Sequence, residues 1–467
     1  MRPIQVNQIV TMTGGTLLQG DDSLAVTSVE HNSREVKEGA LFVPIIGEHA
    51  DGHSYISSAV AQGAVCTFTS RRDIKMQEGC AYIYVEDTLQ ALQRLAGAYR
   101  SLFDIPVIGI TGSVGKTTTK EMIASVLEKK YQVLRTFGNW NSQIGVAMMM
   151  FHIDDTTEIA VIEMGISMPG EMERLVSIAR PGIAVMTNIG VSHIGNLGSR
   201  ENICREKGKI VGSFEDGTLY ICGNGDLKQL SLKCIERERA KGSCQFVYYG
   251  TETDCEAFAD NICTEDDETF FTYHFGAVQE QIKLSMLGIH QVNNAVISYL
   301  IGSRFGVPVR QIKEALYEYH SMDMRGSKKE GNQISILDDT YNASPDSVAS
   351  GLNVLYDSTA KGRKIAILAD VFELGDRTEM EHVRIGTGIL EDEKEGRRLD
   401  LLVTVGKAAE WIAKTVSEGS NQIQVKSFHS KEEAIPWLLQ HRIAGDLYLV
   451  KGSRGMKMDD IVRDMLA

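Results

Sequence analysis

Residues 105–122, IPVIGITGSVGKTTTKEM, constrain this chain more than any other stretch. An apolar, β-rich run from Ile105 to Ile110 leads into Thr111-Gly112-Ser113-Val114-Gly115-Lys116-Thr117-Thr118. A helical pattern follows, with apolar residues at Met122, Ile123, Val126, Leu127 and Tyr131 on one face. Strand, glycine loop and helix in that order form a phosphate cradle. Glycines let successive backbone N–H groups converge, and the helix start adds partial positive charge. Lys116 is placed to reach the outer phosphates and Thr117 to ligate Mg²⁺. The strict pattern G-x-x-x-x-G-K-[ST] is not met, because position 110 is Ile. An ordinary Gly-containing strand-to-helix turn is the bland alternative, but the Lys-Thr pair falls where phosphate chemistry needs it.

A chain of 467 residues is too long for one core and predicts two to four domains. With 48 basic and 62 acidic residues the net charge is −14, which argues against nucleic acid as the main partner. A polyanionic ligand must then be held by local cations and metal. No apolar run approaches the ~20 residues of a membrane span, and MRPIQVNQIV lacks the layout of a signal peptide. The 8 cysteines are scattered without a C-x-x-C pair, so reduced, inert thiols in a cytoplasmic enzyme are expected.

The fold class predicted is α/β with three domains. Residues 1–100 read as a small mixed α/β domain, with strands in LAVTSVEH, ALFVPIIG, AVCTFTS and AYIYVED. Residues 101–322 alternate strands and helices, as in a doubly wound, mostly parallel sheet, and 214–285 reads as an antiparallel insertion or extension. A polar link at 321–332 leads to residues 323–467, a separate Rossmann-like unit. Ligands of such sheets sit beyond the carboxyl ends of the strands. Glu163 ends the strand IAVIE; Thr187, Asn188 and then His193 follow the strand IAVM. Glu163 and His193 could meet a Mg²⁺ on ATP phosphates, or could be a helix cap and a loop histidine. Lys207 and Lys209 lie on a helical stretch, where lysine is usually a solvated charge. Ser33, Arg34 and the Asp51-Gly52-His53 cluster read as turn residues when taken alone.

Read together, SVEHNSREVKEGALFVPIIGEHADGHSYI, GITGSVGKTTTKEM, GNWNSQIGV, EMGISMPGEM, TNIGVSHIGNLGS, GIHQVNNA, DDTYNASPDS, LADVFELG and VKGSRGM resemble the Mur ligase family nearly end to end. The DDTYNASPDS stretch resembles the branch that adds D-Ala-D-Ala to UDP-N-acetylmuramoyl-tripeptide through an acyl phosphate, in peptidoglycan precursor synthesis. That resemblance implies an ATP- and Mg²⁺-dependent ligase with two metal sites, acting as a cytoplasmic monomer on small molecules, without membrane insertion. It places ATP against residues 111–118, with Asn141 and Asn294 on the adenine side and Arg325 and Asp339 as phosphate and ribose contacts. Lys116, Lys207, Glu163 and His193 become the catalytic set. Thr117, Glu163, His193 and a CO₂-derived carbamate on Lys207 become the metal ligands. Substrate would meet Ser33, Arg34, His53, Asn139, Asn342 and Ser344. Asn32, Lys209 and Gln291 depart from the family pattern (Asp, Glu and Asn), and leave room for a paralogue with another amino acid or dipeptide. A nucleotide-binding scaffold without turnover, or a transporter ATPase needing a partner, are the rivals from other classes.

Overall fold

The computed structural model describes residues 1–47 and 50–467. Its strands form a 9-stranded sheet, a 6-stranded sheet, a 5-stranded sheet and a two-stranded ribbon. In the largest, Val107–Thr111 is buried throughout and lies between the parallel strands Ile183–Met186 and Ile159–Glu163. Helices cover both faces of this part, which explains why VIGIT, IAVIE and IAVM are unbroken apolar runs without alternation. Val133–Arg135 closes one edge, parallel to Ile159–Glu163.

On the other side the sheet corrects the expectation for 214–285. Asp216–Cys222 and Ser243–Gly250 continue the parallel array, and antiparallel pairing begins only with Ala257–Glu265, Glu268–Phe275 and Val278–Leu284. The strand Ala257–Glu265 had no alternating signature, because its register breaks between Asp260 and Cys263.

The 6-stranded sheet runs Ser327–Gly331, Ile334–Asp339, Leu447–Lys451, Lys364–Ala369, Leu401–Val405, Gln424–Phe428, all parallel except the first. Part of the link predicted at 321–332 is therefore an edge strand. The 5-stranded sheet (Thr16–Gln19, Ala81–Tyr84, Ala64–Thr69, Ala40–Phe42, Ser28–Glu30) is also parallel apart from its Thr16–Gln19 edge.

Helix Thr88–Arg100 fastens this smaller sheet to the large one. Asp87 caps it, accepting from Leu89 N at 2.8 Å and Gln90 N at 2.9 Å. Its buried face carries Leu92, Leu95, Ala96 and Tyr99, and Gly97 meets Ser177 O so closely that a Cβ would lie 2.8 Å away. Leu92→Ala there should cost about 2–5 kcal/mol. All eight cysteines are free. Among the described residues, no helix is long and apolar enough to cross a membrane.

Candidate active site

The glycine loop takes its shape from both backbone and neighbour. Gly112 has φ 147° and a Cβ there would sit 2.0 Å from Thr187 Oγ1; Gly115, at φ 83°, opens helix Lys116–Leu127. The turn after Ile183–Met186 clamps this loop. Thr187 Oγ1 donates to Val114 O at 2.5 Å, Asn188 Oδ1 accepts from Val114 N at 2.7 Å, and Ser113 Oγ accepts from Gly190 N at 3.0 Å. Thr111 ends the strand with a buried hydroxyl that has no partner among the described residues.

Lys116 folds back over the loop, donating to Gly112 O at 2.8 Å and Ser113 O at 3.3 Å. Burial pushes its ammonium below the ordinary lysine value; Glu163 opposes that shift and Arg325 adds to it. Glu163 is 1% exposed and has no cation within ion-pair distance among the described residues. Its carboxylate is met instead by Thr117 Oγ1 at 2.9 Å and Asn141 Nδ2 at 2.7 Å. A buried carboxylate with only neutral donors, beside a helix-start threonine, is chemically suited to a hard divalent cation. No three His, Cys, Asp or Glu side chains converge on one point among the described residues, so any such ion needs further oxygens from nucleotide, water or a modified side chain.

Lys207 is buried, at 1% exposed, which corrects the expectation of a solvated helical lysine. Burial drives its amine well below the usual lysine range, and the charge of Lys116 adds to this. Lys209 pairs with Glu206 at 2.7 Å; Glu206 in turn accepts from Gly170 N at 2.8 Å and Met172 N at 3.2 Å, capping helix Glu171–Ala179. That departure from the family pattern is thus absorbed locally.

The glycine loop, Lys116, Thr117 and Glu163 face a cavity of about 880 Å³, whose lining does not include Lys207; its volume is within the range of small-ligand sites. It gathers Ser113 through Thr118, Asn139, Asn141, Glu163 and His193 with Asn294, Arg325, Asp339, Asn342 and Ser344. Asn294 accepts from Thr119 Oγ1 at 2.8 Å and donates to Gln291 Oε1 at 3.1 Å, so Gln291 joins this chain of amides. Lys451 Nζ lies 2.5 Å from Asp339 and 3.1 Å from Asn342 O. Ser344 caps helix Pro345–Asp357 by accepting from Ser347 N at 3.3 Å.

Ser33, Arg34 and His53 lie on the 5-stranded sheet's side and do not line this cavity. Asn32 Oδ1 accepts from Arg34 N at 3.1 Å, as an aspartate would. Both ring nitrogens of His53 are committed: Nδ1 lies 2.7 Å from Asp51 Oδ1, and Nε2 accepts from Ser70 N at 3.0 Å.

Sequence reasoning missed the contacts that cross from the third sheet. His193 Nδ1 lies 2.6 Å from Glu373 Oε2, and that neighbour holds Glu373 below the usual carboxylate value. Both residues have left-handed backbones, φ 61° and 64°. Asp346 Oδ2 accepts from Val191 N at 3.1 Å, and a Cβ on Gly190 would come within 1.9 Å of the same oxygen. Only long-range pairing reveals these, and a single sequence carries no signal of it.

A phosphate loop, a buried acid and a second α/β unit closing over both define a nucleotide-dependent, multidomain ligase architecture. Family models agree along the chain: one described as Mur ligase family, catalytic domain, matches residues 25–100, Mur ligase middle domain matches 110–302, and Mur ligase, glutamate ligase domain, matches 322–454. The chain belongs to the Mur ligase family. It is 35% identical over 464 residues to the UDP-N-acetylmuramoyl-tripeptide–D-alanyl-D-alanine ligase of Bacillus subtilis (strain 168), covering 99% of this chain and 98% of that one. The Escherichia coli (strain K12) protein of the same name is 27% identical, with 99% and 98% covered. A crystal structure of MurF from Acinetobacter baumannii superposes with TM-score 0.88 at 28% identity, covering 100% of this chain and 99% of that one. MurF ligase from Thermotoga maritima in complex with ADP gives 0.81 at 27% identity, with 94% and 96% covered.

Proposed function

We propose that this chain joins D-Ala-D-Ala to UDP-N-acetylmuramoyl-tripeptide at the expense of ATP, as a monomer in the cytoplasm. The observation that carries this reading is the cavity in which Lys116, Thr117 and Glu163 from one α/β unit face Arg325 and Asn342 of the next. The relatives' printed names supply the substrates. Residues 1–100 would hold the UDP-muropeptide, 101–322 the ATP and 323–467 the dipeptide.

A carboxylate is a poor acyl donor, so the tripeptide carboxylate first attacks the γ-phosphorus and ADP leaves, giving an acyl phosphate. The dipeptide amine then adds to the acyl carbon, and phosphate departs as the tetrahedral intermediate collapses. Lys116 and the converging loop amides would stabilise charge on the transferring phosphoryl group. Thr187 and Asn188 hold that loop in shape, and the third unit excludes water that would hydrolyse the acyl phosphate. Thr117 and Glu163 would hold one Mg²⁺, and His193 with a carbamate on Lys207 a second; these ions neutralise phosphate charge when bound. Lys207 suits that modification: burial lowers its amine well below the usual lysine value, which favours the free amine that adds to CO₂ with loss of a proton and so becomes a carboxylate.

Phosphate release should require ATP, Mg²⁺, UDP-N-acetylmuramoyl-tripeptide and D-Ala-D-Ala together, and should fall when bicarbonate is stripped. Equal release with free amino acids in place of the dipeptide would overturn the assignment. The departures at Asn32, Lys209 and Gln291 make local hydrogen bonds or ion pairs, so no observation favours a paralogue.

A further inference from the structure

Arg325 enters the cavity from the segment between the second and third units, and its surroundings are unusual for a buried-edge cation. Among the described residues its guanidinium has no carboxylate or carbonyl partner; its close neighbour is the ring of Tyr341, 3.8 Å away at the centroid. Arg454 stands over the same ring at 5.9 Å. Backbone bonds tie the pair into one body: Tyr341 N donates to Met324 O at 3.0 Å, Arg325 N to Met322 O at 3.1 Å, and Gly326 N to Asp338 O at 2.8 Å. Among the described residues the Tyr341 hydroxyl makes no hydrogen bond, so the ring face, rather than the oxygen, does the holding. Across the cavity lies Lys116, whose ammonium senses the Arg325 charge. Two cations with no ion-pair partner among the described residues, facing one space, are arranged for a polyanion.

We propose that Tyr341 is a positioning residue for the nucleotide: its ring face fixes the Arg325 guanidinium in the pose from which it meets phosphate oxygens opposite Lys116. This rests on reading Arg325 as a phosphate contact. A guanidinium stacks flat on a ring and keeps its edge donors free for oxygen, which an ammonium does not. Because Arg325 and Tyr341 travel with the third unit, the pair brings its charge to the phosphates only when that unit is seated.

The test uses the full chain with Tyr341→Phe, Tyr341→Leu, Arg325→Ala, Arg325→Lys and the double variant Tyr341→Leu/Arg325→Ala. The readouts are ADP affinity with Mg²⁺ by calorimetry, kcat and KM for ATP by phosphate release, and melting temperature. Arg325→Ala should lower kcat/KM about 100-fold. Tyr341→Leu should cost about tenfold, and Phe should recover activity to within about twofold of the parent. Arg325→Lys should resemble Tyr341→Leu, and it keeps the test alive if the Leu variant misfolds. In the Arg325→Ala background, Tyr341→Leu should add less than about twofold. Multiplying losses, or Phe as damaging as Leu, would overturn the positioning role while leaving the phosphate contact intact. Parental behaviour of Arg325→Ala would instead remove the contact itself, and the proposal with it.

Discussion

The phosphate corner and the turn around Ser33, Arg34 and His53 are both polar, yet they are built on opposite plans. At the corner, hydrogen bonds from the Thr187–Asn188 turn fix the loop, while Lys116 and Glu163 have no ion-pair partner among the described residues and face a cavity. In the first unit His53 is spent internally on Asp51 and Ser70, while the exposed Arg34 side chain has no ion pair or hydrogen bond among the described residues. The difference teaches that unpaired capacity, more than polarity, marks the reactive region. Chemistry requires groups held ready before substrate arrives, whereas a binding edge can be completed by its ligand.

The sharpest way to break this contrast is Lys116→Ala. It should lower kcat/KM by about 10³-fold, several kcal/mol of transition-state stabilisation, with little change in melting, since the lysine touches only carbonyl oxygens. Glu163→Gln comes next: turnover should fall about 10²-fold. Its melting temperature should hold or rise, because a buried charge without an ion-pair partner is removed, while the amide oxygen still accepts from Asn141 and the new NH₂ can donate to the Thr117 hydroxyl. Loss of stability in that variant would show that the carboxylate serves the fold.

For the first unit the order reverses. His53→Ala should cost about 1–3 kcal/mol of stability by stranding the Ser70 N–H and Asp51, measured by denaturant titration. Arg34→Ala should leave stability unchanged and raise KM for the UDP-linked substrate. The smallest effect concerns pH. The His53 N–H, with the His53 and Arg71 side chains, holds Asp51 below the usual carboxylate value. Its contribution is therefore complete above the unfolded carboxylate pKa and is lost as pH falls through the depressed one. Asp51→Asn should flatten that acid limb of the stability curve.

The sequence made the phosphate loop, Glu163 and the parallel strands legible, because each is local: a glycine at a required φ, an apolar run, a polar residue at a strand end. Strand Gln424–Phe428 was missed because it is a half-exposed edge with little apolar signal. Burial of Lys207 was invisible, since helix periodicity says nothing about which helices lie against that face. The Glu373–His193 and Asp346–Val191 contacts join residues far apart in the chain, and Tyr341 acquires its meaning only from the arginine beside it.

Gly190 packs against Asp346. Its backbone tolerates any residue, but a methyl there would overlap the carboxylate from the opposite unit. The space at Gly190 is thus taken by a residue 156 positions later in the chain. A side chain at 190 would have to turn the Asp346 carboxylate aside, and with it the bond that Val191 N makes to that oxygen.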